Sequence, residues 1–227
     1  MVGKRAPQQA AFFQDLKAWS EIKLRILEKY LRAYLNKRGS ANPTLYYVDG
    51  FAGTGHYGDE DSELKEGSPV LLAKLAQEIA DSGKAYRLVC INVELDPENF
   101  KKLQRALSSF DPELVQARAG AFDTLLPDIL RETGTSPAVF FLDPFGPSPI
   151  KLPDLQPLLI RSDTEFLVNL NTPYLRRLAG FEDSSSKQKN AKLRLVSQIL
   201  GEDPDDPEPE WMQEWRAVQG QALPQDR

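Results

Sequence analysis

The sequence predicts an α/β fold with a mostly parallel sheet and helices on both faces. Three observations support this prediction. Short apolar segments alternate with amphipathic helical segments, the segment Ala138–Leu142 (AVFFL) is apolar throughout, and acids or glycines follow the apolar segments. Parallel strands are buried on both faces and therefore read as continuous apolar runs. The 227 residues suffice for one large domain of this class.

An amphipathic helix is predicted near the N-terminus, over residues 12–37. Ser20-Glu21 is a candidate start for a second helical segment after a break, and Gly39 with Asn42-Pro43 marks the end. We treat residues 1–43 as an N-terminal helical extension. The apolar side chains that recur at a helical period, and are expected to pack, are Phe12, Leu16, Trp19, Ile22, Ile26, Tyr30 and Tyr34.

The predicted core, residues 44–180, alternates strands and helices. Its strands are expected at 45–48, 87–93, 114–117, 138–142 and 165–170, and its helices at 68–79, 96–107, 124–131 and 153–160. Ser68 is expected to cap the first of these helices, with Pro69 in the first turn. Asp96 is expected to cap the second.

The pattern changes beyond residue 171. Residues 184–187 are loop-like, 192–200 predict a helix, and the acidic, proline-rich segment 202–210 is expected to be disordered surface. We treat residues 181–227 as a helical and acidic C-terminal segment. It contains no further predicted strand, so the sheet is expected to lack its C-terminal strands, as in a truncated sequence.

Composition excludes several classes of protein. One cysteine, Cys90, provides neither a disulfide framework nor a metal cluster, so no metal site is expected. No apolar run approaches the roughly 20 residues that cross a bilayer, and the N-terminus has no secretory pattern. We therefore expect a soluble, cytoplasmic protein that contacts no membrane. A net charge of −5 argues against general electrostatic capture of nucleic acid, although a local basic patch remains compatible with a specific one.

Polar or glycine features follow the first four predicted strands. Asp49 precedes the glycine loop 50–55 (GFAGTG), Glu94 ends the second strand, residues 120–123 follow the third, and Asp143 follows the fourth. In open parallel sheets, ligands bind beyond the carboxyl ends of the strands. We therefore predict a ligand site there. The candidate cofactor-binding residues are Asp49, Phe51, Gly53, Gly55, Glu94 and Asp123.

The spacing of this site disfavours a nicotinamide cofactor. In dinucleotide-binding folds, the acid that contacts the ribose lies about 20 residues after the glycine loop, and a helix begins at the loop. Here Glu94 follows Asp49 by 45 positions, and the next predicted helix waits until Ser68. S-adenosylmethionine fits better, because its ammonium can meet Asp49 and its ribose can meet Glu94. Nicotinamide-dependent reduction is the disfavoured alternative.

The fourth strand is expected to provide the substrate side. Asp143, Pro144 and Phe145 resemble the Asp-Pro-Pro-Tyr signature of amino-group methyltransferases. There, the acid and a backbone carbonyl accept hydrogen bonds from an exocyclic amine while an aromatic ring stacks on the base. Such acceptors orient the nitrogen and stabilise its developing positive charge. Here the aromatic residue comes one position early, and Gly146 stands in its usual place.

Five segments together resemble the three-Cys-motif partner protein family: KLRILEKYLRAYL, YVDGFAGTGHYG, EGSPVLLA, VELD and FFLDPFG. The resemblance covers residues 19–171. It implies a class I methyltransferase-like, Rossmann-like fold, and a partner protein with three cysteines. The chain is more distantly similar to ribosomal RNA adenine-N6 methyltransferases, which share a glycine loop followed by Gly-Ser-Pro. Ala121 stands where such enzymes often carry an acid for the adenine amine, and Asp123 is the candidate substitute.

Two functions from different classes follow. The leading hypothesis is S-adenosylmethionine-dependent methyl transfer to an exocyclic amine of a nucleic-acid base, in DNA or RNA. The alternative is a non-catalytic, methyltransferase-like scaffold for a three-cysteine-motif protein. Structural alternatives also stand for single features: the glycine loop as a tight strand exit, Asp143-Pro144 as a strand terminator, and His56 as an exposed or substrate-lining residue rather than a base.

Overall fold

The computed structural model describes residues 7–57, 65–144, 150–170, 172–180 and 188–219. The chain forms two compact units. The first comprises Met1–Phe141 with Glu165–Leu167, and the second comprises Leu142–Thr164 with Val168–Arg227. Among the described residues, no helix combines the length and the apolar composition needed to cross a bilayer.

Strands and helices alternate over residues 44–168, as predicted, except for two short strands that follow the first and were not predicted. The strands are β1 (Thr44–Asp49), β2 (His56–Tyr57), β3 (Lys65–Glu66), β4 (Arg87–Glu94), β5 (Val115–Ala119), β6 (Ala138–Leu142) and β7 (Thr164–Val168). The helices are α1 (Pro7–Arg38), α2 (Ser68–Asp81), α3 (Pro97–Leu107), α4 (Phe122–Thr133), α5 (Gln156–Leu159), α6 (Thr172–Ala179), α7 (Lys189–Leu200) and α8 (Glu210–Gln219). Short 3-10 turns follow α1 at Gly39–Ala41 and precede α5 at Leu152–Leu155.

Five strands form one parallel sheet in the order β5-β4-β1-β6-β7, while β2 and β3 pair as a separate antiparallel ribbon. Helices flank the parallel sheet, so the fold is Rossmann-like α/β and the predicted fold class is confirmed. The chain passes from β1 to β4 and β5 on one side, then returns to β6 and β7 on the other. Ligands of open α/β sheets bind at such a reversal of strand order.

Helix α1 packs on the core through a face that only partly overlaps the predicted one. Leu27, Leu31 and Leu35 are buried in the same cluster as Tyr47 of β1 and Leu72 of α2. Complete burial of such side chains contributes about 1.5–3 kcal/mol each. The spacing of these leucines, four residues apart, places them on one helical stripe.

Part of the predicted face of α1 is exposed instead. Tyr34 is buried and Tyr30 stacks on it at 6.4 Å between ring centroids, but Trp19, Ile22 and Ile26 are exposed by 54, 47 and 56%. The side chains of Phe12 and Leu16 lie outside the described part of the structure. The predicted break at Ser20-Glu21 is wrong, since α1 is continuous through these residues.

Two of the predicted helix starts differ from the structure. Ser68 is the first residue of α2 rather than its cap, and Gly67 occupies the N-cap position. Helix α4 begins at Phe122, two residues before the predicted start. By contrast, the Asp96 cap of α3 is confirmed, because its carboxylate accepts hydrogen bonds from the amides of Glu98 and Asn99 at 2.9 Å.

The second unit has its own small core. Leu178 and Ala179 of α6 pack with Val196 and Ile199 of α7 and with Trp211 and Met212 of α8. The predicted disorder of 202–210 is wrong, because side chains within it make specific contacts. Glu202 accepts a hydrogen bond from the Trp211 amide at 3.1 Å, and Asp205 forms an ion pair with Arg194. The predicted loop at 184–187 lies outside the described residues.

Candidate functional site

The glycine loop that follows β1 is tied to both neighbouring strands. The Gly50 amide donates to the Phe141 carbonyl of β6 at 3.0 Å, and the Ala52 amide donates to the Val93 carbonyl of β4 at 2.8 Å. These bonds place the loop over the carboxyl ends of three adjacent strands, at the reversal of strand order. The loop residues, Asp49 and Glu94 all belong to the first unit.

Two of the three glycines in the loop, Gly53 and Gly55, have different roles. Both adopt positive φ, +62° at Gly53 and +84° at Gly55, a conformation that favours glycine. A Cβ at Gly53 would meet no atom of the described residues within 4 Å, whereas a Cβ at Gly55 would lie 3.0 Å from the Ala106 Cβ of α3. Among the described residues, Gly53 therefore faces open space that a ligand can approach, and Gly55 permits close packing of the loop on α3.

Glu94 joins the glycine loop to the turn that begins α3. Its Oε2 accepts a hydrogen bond from the Gly53 amide and its Oε1 accepts one from the Asp96 amide, both at 2.7 Å. The side chain is half-buried at the end of β4. Each carboxylate oxygen can accept more than one hydrogen bond, so these amides orient the group without exhausting it. Contact with ribose hydroxyls stays a prediction.

Asp49 is fully buried beneath the loop. Its Oδ1 accepts a hydrogen bond from the Phe51 amide at 3.1 Å, and its Oδ2 accepts from the Tyr47 hydroxyl at 3.2 Å and the Ser68 hydroxyl at 2.6 Å. Three donors on one carboxylate fit its ionised form, since a buried charge is stable only when it is hydrogen-bonded. In this conformation Asp49 acts on the loop, and its direct contact with a ligand ammonium stays a prediction.

Burial also determines the protonation of two groups beside Asp49. Desolvation, followed by the charge of Asp49, raises the pKa of the Tyr47 hydroxyl well above its ordinary value, so Tyr47 remains a neutral donor. The same two causes raise the pKa of the Cys90 thiol, which is fully buried. Because the thiolate is the reactive form of cysteine, Cys90 is a packing residue rather than a nucleophile.

The start of α2 also contacts the far end of the loop. The Gly67 amide donates to the Gly55 carbonyl at 2.8 Å, and a Cβ at Gly67 would lie 2.9 Å from that carbonyl oxygen. Only glycine allows this approach without movement of the backbone. Sequence reasoning gave no role in the site to Gly67 or to the Ser68 hydroxyl. The signal was present in the segment EGSPVLLA, where glycine and serine precede proline.

Phe51 lies near Phe122, the residue that precedes Asp123 in the first unit. The Phe51 ring is 6.0 Å from the Phe122 ring, and Phe122 lies 6.4 Å from Phe140 in an edge contact. Asp123 follows in the first turn of α4, is exposed, and accepts a hydrogen bond from the Thr124 amide at 2.7 Å. Phe51 is half-buried. Cofactor contacts of Phe51 and Asp123 stay predictions.

Asp143 and Pro144 follow β6 and are half-buried in the second unit. The Asn169 amide group donates to Asp143 Oδ1 at 2.6 Å, which fixes the orientation of the carboxylate. Sequence reasoning did not single out Asn169, because its position after β7 carries no motif. Phe145 and Gly146 lie outside the described residues. The substrate role of Asp143, Pro144 and Phe145 stays a prediction.

Comparisons of the chain with known protein-family models and with curated proteins found no match. The resemblance to three-Cys-motif partner proteins therefore rests on the five quoted segments alone. Within the described ranges, no group of three or more histidine, cysteine, aspartate or glutamate side chains is arranged to hold a metal ion.

The site in the first unit, which consists of the glycine loop, Asp49 and Glu94, fits a nucleoside cofactor in two respects. The described residues leave the space beside Gly53 open, so they allow a ligand to lie against the loop backbone. The Glu94 carboxylate contacts that backbone by accepting a hydrogen bond from the Gly53 amide. In folds of this class, a carboxylate at the end of the second strand of the parallel sheet, here β4, accepts hydrogen bonds from ribose hydroxyls. Asp49 fits as the support of the loop. No helix begins at Gly55, so the loop offers no helix N-terminus for a phosphate.

Proposed function

We propose that the chain binds S-adenosylmethionine at the glycine loop and methylates an exocyclic amine of a nucleic-acid base. The observation that carries the proposal is the contact between Glu94 and the Gly53 amide, at 2.7 Å, beside the open space at Gly53. This contact places an anionic acceptor against an accessible backbone at the reversal of strand order. A bound S-adenosylmethionine would supply an activated methyl group.

Each residue of the first-unit site has a separate part in this proposal. Gly53 lets the cofactor approach the backbone, and Glu94 accepts hydrogen bonds from the ribose hydroxyls. Asp49 holds the loop in shape through the Phe51 amide and remains the candidate partner for the cofactor ammonium. Phe51 and Asp123 are the proposed neighbours of the adenine ring.

The substrate side of the proposal comes from the sequence motif. Asp143 and the carbonyl of Pro144 accept hydrogen bonds from the target amine, and Phe145 stacks on the base. Positive charge develops on the nitrogen as it attacks, and these acceptors stabilise that charge. Asn169 supports the Asp143 carboxylate at 2.6 Å. In duplex nucleic acid, the target base must first leave the stack.

Methyl incorporation tests this function directly. The full chain is incubated with S-adenosylmethionine carrying a labelled methyl group and with single-stranded and duplex DNA and RNA, and the nucleosides are analysed by mass spectrometry. We expect a methylated amino group in one nucleic acid, and a loss of about a hundredfold or more in Asp143→Asn. The matched control is Asp154→Asn, an exposed carboxylate in the same unit. Equal activity of both variants would contradict the role of Asp143.

The second candidate is a non-catalytic partner of a three-cysteine-motif protein. The exposed side chains of Trp19, Ile22 and Ile26 on α1 favour it, because large apolar patches on a surface often mark protein contacts. Co-purification with such a protein, lost in Trp19→Glu, together with no methyl incorporation, would support this function. We place either function in the cytoplasm, where a lone reduced thiol such as Cys90 is ordinary.

A further inference from the structure

Ser68 makes a long-range contact that its position in α2 does not require. Its side chain is 4% exposed, and its hydroxyl donates to Asp49 Oδ2 at 2.6 Å, although the two residues are 19 positions apart. Serine at a helix start usually hydrogen-bonds the backbone of its own helix. Here Gly67 holds the N-cap position, and the Ser68 hydroxyl binds the carboxylate beneath the glycine loop.

The start of α2 holds both ends of the glycine loop. Ser68 binds Asp49, the residue immediately before the loop, and the Gly67 amide binds the Gly55 carbonyl at the end of the loop. The Asp49 carboxylate in turn accepts the Phe51 amide inside the loop. The N-cap and the first residue of α2 therefore restrain the backbone on either side of Gly53. The N-terminus of α2, where the helix dipole is positive, also lies beside the buried Asp49 carboxylate.

Loss of the Ser68 hydroxyl would leave the Asp49 carboxylate with a weaker set of donors. The bond from the Tyr47 hydroxyl to Oδ2, at 3.2 Å, is longer than the bond from the Ser68 hydroxyl, at 2.6 Å. With only the longer Tyr47 bond of this pair left, the carboxylate would be held less firmly, and its rotation would break the bond from the Phe51 amide to Oδ1. The loop would then sample other conformations, and a ligand would have to order it on binding.

We infer that Ser68 is a positioning residue for the cofactor loop. By holding the Asp49 carboxylate, it keeps the backbone from Phe51 to Gly55 in the conformation that presents the Gly53 amide to Glu94. The inference rests on the proposed function for the identity of the ligand. The claim that Ser68 keeps the loop ordered does not depend on the ligand, because hydrogen exchange of the loop amides is measurable without one.

The test uses the 227-residue chain and three substitutions of Ser68. Ser68→Ala removes the hydroxyl, Ser68→Cys keeps nearly the same volume with a weak donor, and Ser68→Thr keeps the hydroxyl. The matched control is Thr133→Val in α4, which removes another buried hydroxyl, one that donates to the Ile129 carbonyl at 2.9 Å. Calorimetric titration with S-adenosylmethionine gives Kd, and hydrogen exchange gives the protection of the amides at residues 50–57.

We expect Ser68→Ala and Ser68→Cys to accelerate exchange in the loop and to raise Kd, because the ligand must then order the loop on binding. The expected rise in Kd is about tenfold, which corresponds to about 1.4 kcal/mol. Ser68→Thr, which keeps the hydroxyl, should bind more tightly than Ser68→Ala, and Thr133→Val should keep Kd within about twofold of the original chain. Thr133→Val should lower thermal stability without changing loop exchange. A purely structural role of Ser68 would lower stability in the same way and leave Kd and loop exchange unchanged.

The outcomes separate this inference from the proposed function. If the original chain binds S-adenosylmethionine and Ser68→Ala binds equally well, the positioning role is wrong and the cofactor assignment stands. If the original chain does not bind it, the cofactor assignment fails and loop exchange decides the positioning role. Faster exchange in Ser68→Ala, but not in Thr133→Val, would then support that role, and unchanged exchange would overturn it.

Discussion

Replacing Gly53 and Gly55 separately by alanine should divide the glycine loop into a ligand-facing part and a packing part. Both residues have positive φ, so each alanine incurs backbone strain of about 1–2 kcal/mol. Only Gly55 adds a steric conflict, because its new Cβ would lie 3.0 Å from the Ala106 Cβ. Carbon atoms pack best at about 3.5–4.0 Å, so α3 or the loop must move.

The two costs predict different stabilities. Overpacking of a core costs about 1–3 kcal/mol, which brings the expected destabilisation of Gly55→Ala to about 2–5 kcal/mol. Gly53→Ala should cost only the strain of about 1–2 kcal/mol. Against a typical total stability of about 5–15 kcal/mol, the first change is severe and the second is mild.

Binding should follow the opposite order. The methyl group of Gly53→Ala projects into the open space where we place the cofactor, so Kd for S-adenosylmethionine should rise by about tenfold or more. Gly55→Ala, once folded at low temperature, should retain more of the affinity. Urea denaturation followed by circular dichroism measures stability, and calorimetry measures Kd. Equal destabilisation by both substitutions, or full binding by Gly53→Ala, would refute this division of the loop.

Two further predictions concern protonation and the second unit. Because burial raises the pKa of Cys90 and Tyr47 in the folded chain, the folded state keeps its protons where the unfolded chain loses them; stability should be unaffected by these groups at pH 7 and should fall above about pH 9 to 10, by about 1.4 kcal/mol per pH unit for each group. Urea midpoints measured from pH 7 to 11 check this, and a smaller alkaline loss in Cys90→Ala is expected, whereas identical slopes would contradict the assignment of Cys90. In the second unit, Ser197→Ala removes the acceptor of the Trp211 indole bond at 2.8 Å and should destabilise that unit by about 1–3 kcal/mol. Proteolysis near α8 reports this, and unchanged cleavage would show that the indole bond contributes little.

Local patterns in the sequence were sufficient for most of the fold. The apolar runs of β1, β4 and β6 and the acids or glycines that follow them are short-range signals, so these strands and their ends were predictable. The Asp96 cap was predictable for the same reason, because the side chain binds amides only two and three residues away.

Contacts between distant segments were not predictable in the same way. Helix α1 carries two apolar stripes, and composition alone cannot decide whether Leu27 and Leu31 or Ile22 and Ile26 face the core. Helix α8 was missed because acids and prolines dominate the preceding segment, although Trp211 and Met212 supply an apolar anchor.

The candidate site likewise combines residues that local patterns predict with contacts between distant segments that they do not predict. Asp49, Gly53 and Glu94 were identified from their positions at strand ends, and the structure brings Gly53 and Glu94 into direct contact. The bond from the Ser68 hydroxyl to Asp49 depends on how α2 packs against β1, which no local pattern encodes. The sequence therefore predicted Ser68 as the cap of its own helix, whereas its hydroxyl donates to the Asp49 carboxylate beneath the loop.

Calorimetric titration of S-adenosylmethionine and S-adenosylhomocysteine into the full chain tests the central claim most directly. Asp49→Ala and Glu94→Ala are titrated beside it, with Asp128→Ala as a control, since Asp128 is an exposed acid of α4 that pairs with Arg131. We predict micromolar binding by the original chain and the control, and its loss in both site variants. A folded original chain that binds neither compound, or a Glu94→Ala variant that binds both normally, would contradict the cofactor site.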